Sequence, residues 1–326
     1  MQIAEFINEK KNNPMHVLLK KARLGIWIGL ILLGGKAMAQ QHPMYSQYMF
    51  NMLNINPAYA GSRGVLTATA LYRNQWQGID GAPVTTSVGF DMPIREKKVG
   101  IGIQLYDDKL GIERTSGLNA SYAFRIQMSE SGTLSLGLQA GILNYRANYT
   151  QARTFQPNDP AFSQNISGIL PSAAAGVYYN SDRFYIGLST PALLKTKISY
   201  DNVASVESVT GRDLHVYLAS GFVVNLNQDL ALKPSILVKA VSGAPVECDF
   251  NGNLWIQNTI ALGFSYRTGD SYVGMAELQL NRQLRVGYAY DKTFSNLSSY
   301  NNGTHELMLR MEFGNSKGKV ASPRYF

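Results

Sequence analysis

The sequence predicts an all-β chain that closes as a transmembrane antiparallel β-barrel of about 14 strands, with an N-terminal segment plugging or lining the lumen. Three observations predict the wall. Apolar and small-or-polar residues alternate with period two from about residue 65 to residue 313. The alternating runs have roughly the nine to eleven residues a tilted strand needs to cross a bilayer. An export signal precedes them.

The export signal is read first. Lys20, Lys21 and Arg23 precede the apolar run Leu24–Gly35, and Ala37-Met38-Ala39 follows as an A-x-A cleavage pattern. The apolar run is too short to span a bilayer stably, so residues 1–39 read as a secretory signal peptide. Met15 is the better start, which makes residues 1–14 a mis-called extension. Cleavage after Ala39 removes six basic and two acidic residues, lowering the formal charge from +8 to +4. The pI of 9.4 therefore makes no case for nucleic acid. With Cys248 as the one cysteine, no lipoprotein anchor and no intramolecular disulfide are expected.

After a lead-in over 40–64, fourteen strand-like segments follow. Their spans are 65–76, 84–93, 98–107, 114–127, 132–146, 171–180, 183–190, 213–226, 229–240, 245–254, 259–268, 271–281, 284–292 and 304–313. In the run from 99 to 106, Val99, Ile101, Ile103 and Leu105 oppose Gly100, Gly102, Gln104 and Tyr106. In the run from 284, Leu284, Val286, Tyr288 and Tyr290 oppose Arg285, Gly287, Ala289 and Asp291. A tail, 314–326, ends the chain.

A soluble sandwich produces the same alternation. The export signal, the strand lengths and the even strand number favour the barrel. So do aromatics near segment ends (Tyr72, Trp76, Tyr145, Tyr149, Tyr266, Tyr272), where interfacial girdles are expected. Loop lengths sort by parity. Connections at 147–170, 191–212 and 293–303 are long, whereas 94–97, 129–131, 181–182, 227–228, 255–258 and 282–283 are short. Short periplasmic turns and longer outer loops are the barrel rule. Both termini are then expected in the periplasm, with the protein in the outer membrane. Inward glycines such as 89, 100, 102, 137, 141, 176, 221, 263 and 287 leave interior room.

Residues 40–64 are too apolar to float freely and lack strand alternation. They fold into the lumen or line its mouth, with Asn56-Pro57 making the turn into the first strand, or they run as a disordered lead-in.

The motifs QYMFNMLNINPAYAG (47–61) and YRNQWQGIDGAPVTTSVGFDMPI (72–94) resemble the opening of the PorP/SprF proteins of the type IX secretion system. GTHELMLRMEF (303–313) and the terminal SPRYF are similar to that family's close. The resemblance covers essentially the whole mature chain. It implies a Bacteroidota outer-membrane barrel, not an enzyme, that supports export and surface anchoring of cargo by binding its C-terminal sorting domain. It further implies gliding adhesins as one cargo class and periplasmic ring lipoproteins as partners. Within these motifs the candidate partner-binding residues are Tyr48, Phe50, Asn56, Pro57, Tyr59, Gly61, Arg73, Gln75, Trp76, His305 and Glu306. The alternative function is a channel for a small ligand.

Chemistry is sparse in the sequence. His42, His215 and His305 form no spaced metal cluster, and neighbours such as His305 and Glu306 face opposite sides of a strand. No cofactor is expected. Asp107, Asp108 and Asp291 read as solvated charges or, less simply, as cation ligands. Arg73, Arg125, Arg267, Arg285 and Arg310 fall with Asp91, Glu277, Asp291 and Glu312 mostly on inward faces. They read as a polar interior of paired charges, or as a dock for a plug or partner segment.

Overall fold

A computed structural model of the chain describes residues 44–94, 97–152, 162–194, 214–241 and 244–313. The expected signal peptide and C-terminal tail lie outside these residues. Among the described residues the wall begins with β1 (Leu66–Asn74), β2 (Val84–Ile94), β3 (Val99–Leu110), β4 (Glu113–Gln127) and β5 (Thr133–Ala147). It continues with β6 (Ile166–Asn180), β7 (Phe184–Thr190), β8 (His215–Phe222), β9 (Val224–Asn225) and β10 (Leu230–Val241). The last are β11 (Glu247–Ile256), β12 (Ile260–Arg267), β13 (Ser271–Gln279), β14 (Leu284–Thr293) and β15 (Thr304–Phe313).

Each strand pairs antiparallel with its neighbours, and β1 pairs with β15 from Leu66↔Phe313 to Asn74↔His305. The ring is therefore closed. Closure removes the free edges of the first and last strands, which hydrocarbon demands because an unpaired group there costs several kcal/mol. The short β9 is no extra stave. It and β8 both pair with β10, and the break between them faces Pro234. Proline has no N–H to give the ladder, so pairing lapses at that point and resumes at Leu232↔Val224. Fourteen staves result, as the alternation predicts.

The largest boundary difference from the sequence expectation is at the sixth strand. The sixth strand was expected from residue 171, but it begins at Ile166, and Ile166–Leu170 pair with Leu143–Ala147 of β5. Pro171 reads locally as a start. It is tolerated within the strand because residues before Ala175 have no ladder partner on β7 among the described residues.

The connections sort onto two ends. One end carries 95–98, 128–132, 181–183, 226–229, 257–259 and 280–283, each three to five residues long. The turn after β11 is typical of tight hairpins: Gln257 and Asn258 both have positive φ, and Thr259 N–H donates to Ile256 C=O at 2.9 Å. The other end carries the connections at 75–83, 148–165, 191–214 and 294–303, together with shorter ones. Phe313 ends the last strand at the short-turn end.

Side chains divide by parity. On β1, Thr67, Thr69, Leu71 and Arg73 are buried inward, whereas Leu66 and Tyr72 are exposed on the outer face. The outer band includes Phe90, Ile103, Leu118, Phe124, Leu138 and Ile169, all exposed. Such a continuous apolar exterior belongs against acyl chains. Phe264, Tyr266, Tyr272 and Phe294 cluster on this face, with Tyr266 and Phe294 stacked at 6.0 Å between centroids. Tyr145, expected in a girdle, instead points inward and is buried. It shares parity with lumenal Ser135, Gly137 and Leu143 rather than with the outer Leu136 and Leu138.

Leu138 is 66% exposed on the outer face. Leu138→Arg is expected to lower folding stability in lipid bilayers by about 2–4 kcal/mol, the cost of a cation on a lipid-facing strand. Denaturant titration of barrel folding, followed by heat-modifiable gel mobility, measures it.

Candidate functional site

Residues 44–64 run along the interior of the ring. The local sequence bends this stretch into three short 3-10 turns, Tyr48–Phe50, Met52–Asn54 and Pro57–Tyr59. The last turn is written in the residues. Asn56 Oδ1 accepts from Ala58 N–H at 2.9 Å, and Pro57 occupies the first helical position, where its missing N–H costs nothing. Tyr48, Met52, Leu53, Ile55, Ala58, Tyr59 and Ala60 are buried in one apolar cluster with Tyr178, Tyr185, Tyr217 and Leu237 of the wall. Tyr59 packs edge-on against Tyr178 at 5.5 Å.

The segment descends from one end of the ring to the other. Met44 Sδ lies 3.2 Å from Lys239 Nζ, near the long-loop end of β10. Ser46 and Gln47 meet β15 and β14 near the same end. Tyr48 hydroxyl accepts from Asn251 Nδ2 at 2.8 Å. Lower down, Gln104 Nε2 donates to Asn54 Oδ1, Ser189 hydroxyl donates to Ile55 C=O at 2.6 Å, and Asn56 Nδ2 donates to Val177 C=O at 3.0 Å. Gly61 N–H then donates to Asp91 Oδ2 at 2.8 Å, and Arg125 Nη1 donates to Gly61 C=O at 2.8 Å. Arg63 pairs with Glu312 at 2.6 Å, at the short-turn end. The chain turns into β1 at Gly61 and Gly64, whose φ values are +70° and +72°, not at Asn56-Pro57 as expected.

A belt of charge crosses the wall where the segment enters. Lys239 pairs with Glu247 at 2.7 Å and Asp249 at 3.0 Å; Arg267 pairs with Asp249 at 3.0 Å and Asp291 at 3.4 Å. Arg73 pairs with Asp291 at 2.8 Å and Glu306 at 2.9 Å. The segment completes the belt. Ser46 and Gln47 N–H groups each donate to the Glu306 carboxylate at 2.8 Å, and Ser46 hydroxyl donates to Asp291 at 2.6 Å. Glu306 is 0% exposed, so each of these donors replaces water the carboxylate has lost.

Inward glycines accommodate the passage. A Cβ at Gly100 would collide with the Ala60 carbonyl, at Gly137 with the Ala58 amide, at Gly176 with Asn56 and at Gly287 with Gln47. Gly89 and Gly102 leave space for Leu53. Two lumenal cavities, one beside Arg63 and Arg310 and one beside Tyr45 and Gln139, hold about 10 Å³ each. That is room for roughly one water apiece.

Of the sequence-predicted site residues, Tyr48, Phe50, Asn56, Pro57, Tyr59, Gly61, Arg73 and Glu306 are buried or engaged in this lumenal assembly. Phe50 lies 5.9 Å from the Arg310 guanidinium. Gln75 and Trp76 sit apart, in the connection after β1, where Gln75 N–H donates to Pro83 C=O and Trp76 N–H to Thr304 Oγ1. His305 faces outward between Tyr288 and Tyr290, its Nδ1 2.7 Å from the Tyr288 hydroxyl. Sequence reasoning placed Ser46 and Gln47 in the lead-in segment without singling them out, and it missed Lys239, Asp249 and Asn251 of the wall. Of the readings of Asp291, the inward paired charge is the one observed: two arginines and a serine hydroxyl occupy it. Asp107 pairs with Arg114, and Asp108 accepts from Thr85.

Residues 37–311 match the family described as type IX secretion system membrane protein PorP/SprF. The chain belongs to the PorP/SprF family. None of the curated proteins compared matches it. Among solved structures, the PorP/SprF chain is similar to the Ralstonia pickettii toluene transporter TbuX, at 11% identity and TM-score 0.49, over 87% of this chain and 97% of that one. It is similar to a Pseudomonas aeruginosa FadL homologue at 11% identity and TM-score 0.47, over 84% and 95%. Acinetobacter baumannii Omp33 aligns at 10% identity and TM-score 0.40, over 76% and 96%.

Two predictions follow from this geometry of the family member. Glu306→Ala leaves the Ser46 and Gln47 N–H groups without their acceptor and halves the pairing of Arg73; a loss of about 3–5 kcal/mol is expected in denaturant unfolding. A double substitution, Arg73→Met with Glu306→Leu, should not recover it, because buried Asp291 then loses its 2.8 Å partner and the two N–H groups still lack an acceptor. Gly100→Val and Gly137→Val should displace the segment while leaving the wall closed. Faster protease cleavage between residues 44 and 61, at unchanged heat-modifiable mobility, is the expected readout.

Proposed function

We propose that this PorP/SprF protein is a non-enzymatic outer-membrane barrel whose lumen is occluded by its own N-terminal segment, and which holds the C-terminal domain of exported cargo at its long-loop end. The observation that carries this reading is the occupied interior, with Glu306 bonded to the segment backbone. A barrel filled from within serves as an anchor rather than a conduit. Its partners then meet the loops and the rim. The short turns face the periplasm in this reading, as in other outer-membrane barrels. Ring lipoproteins of the secretion apparatus would approach from that side.

Two measurements test it. Purified full-length protein in planar bilayers should show no stable open conductance, whereas removal of residues 44–61 should produce one. Deleting the gene should leave particular type IX cargo unexported or shed into the medium. A wild-type barrel that conducts steadily would favour the small-ligand channel instead, and normal cargo attachment in the deletion strain would refute the anchoring role.

A further inference from the structure

We infer that the mature N-terminus and the end of the last strand lie on opposite sides of the membrane, with the N-terminus emerging among the long loops. This departs from the expectation that both termini share the periplasm. It rests on the path of the described segment and on cleavage after Ala39, not on the cargo reading.

The path has one direction. Met44 contacts Lys239, two residues from the end of β10, and Val241 there pairs with His215, the first residue of β8. Both lie at the long-loop end. Ser46 reaches Asp291 and Arg73, each close to the long-loop end of its strand. Asn54 bonds Ser87 in the long-loop half of β2, and Asn56 bonds Val177 in the short-turn half of β6. Gly61 reaches Asp91 near the end of β2, and Arg63 reaches Glu312 one residue from the end of β15. The two ends of the described segment, Met44 and Arg63, therefore lie at opposite ends of the wall. Then β1 climbs back from Leu66.

Reach makes the inference hard to evade. A barrel wall stands about 25 Å across the hydrocarbon. Only residues 40–43 precede Met44 after cleavage, and four residues extend at most about 14 Å. The lumen below Met44 is occupied by the descending segment itself. The mature N-terminus cannot return to the short-turn end through the lumen, and the wall is closed by the β1–β15 ladder.

Site-specific labelling tests this. In a Cys248→Ser background, single cysteines are placed by Gln41→Cys, by Ser299→Cys in the long connection after β14, and by Glu130→Cys in the short turn after β4. Intact cells, then permeabilised cells, are treated with a membrane-impermeant maleimide. Gln41→Cys should label in the same condition as Ser299→Cys and opposite to Glu130→Cys. Labelling that follows Glu130→Cys, or labelling in neither condition, overturns the inference. His42→Cys is the second probe should Gln41→Cys fail to give a heat-modifiable barrel. N-terminal sequencing of the purified chain is expected to begin at Gln40; an uncleaved leader also overturns it. Because the two loop cysteines fix orientation independently, failure here leaves the anchoring test untouched.

Discussion

Arg73 stands directly opposite Glu306 in the ladder that joins the first strand to the last. This one cross-strand pair belongs to two structures at once. Its backbone is part of the seam that closes the ring. Its side chains hold the entry of the N-terminal segment, through Ser46 and Gln47 N–H groups on Glu306 and the Ser46 hydroxyl beside Arg73. Closing the wall and seating the segment are therefore coupled at one position. A ring that closes without the segment leaves a carboxylate inside with its donors missing. A segment without the seam has only half its anchor.

Physics elsewhere in the lumen follows the same logic. The belt at the long-loop end sets three cations, Lys239, Arg267 and Arg73, against five carboxylates, Glu247, Asp249, Asp270, Asp291 and Glu306. Buried charges are tolerated when each is paired and hydrogen-bonded, and are costly otherwise. The excess of negative charge is met by hydrogen-bond donors of the segment. At the other end Asp91, Arg125 and Glu312 take hold of Gly61 and Arg63. Between the two, contact is mostly apolar, tyrosine on tyrosine, with glycines set where the backbone passes closest.

The wall was legible in the sequence because its cause is local. A residue on a strand faces lipid or lumen by parity alone, so Leu284, Val286 and Tyr288 reveal their side without knowledge of any partner. Where parity is masked by a breaker, as at Pro171, the boundary slipped by five residues. Tyr145 was misread because an aromatic near a strand end is ambiguous until its parity is traced. The interior assembly was only half legible. Inward glycines announced space, and inward charges announced pairing. Neither says which chain fills the space. Ser46 and Gln47 carry no signal because Glu306 binds chiefly their backbone amides, which every residue but proline possesses. His305 and Glu306, adjacent in one motif, part company for the simplest reason: consecutive residues on a strand point opposite ways.

An occupant of the belt must bring two N–H donors to Glu306 and a hydroxyl or N–H to Asp291, or leave buried carboxylates short of partners at a cost of several kcal/mol. A polypeptide in a bent, non-strand conformation carries such donors at every residue. An apolar solute carries none, and a water column would have to enter a space where the cavities beside the segment hold about one molecule each. The described interior is filled by the chain's own residues. Its selectivity lies in two places: the carboxylates that read amides at the top, and the glycines at 100, 137 and 176 that admit a backbone only along one track.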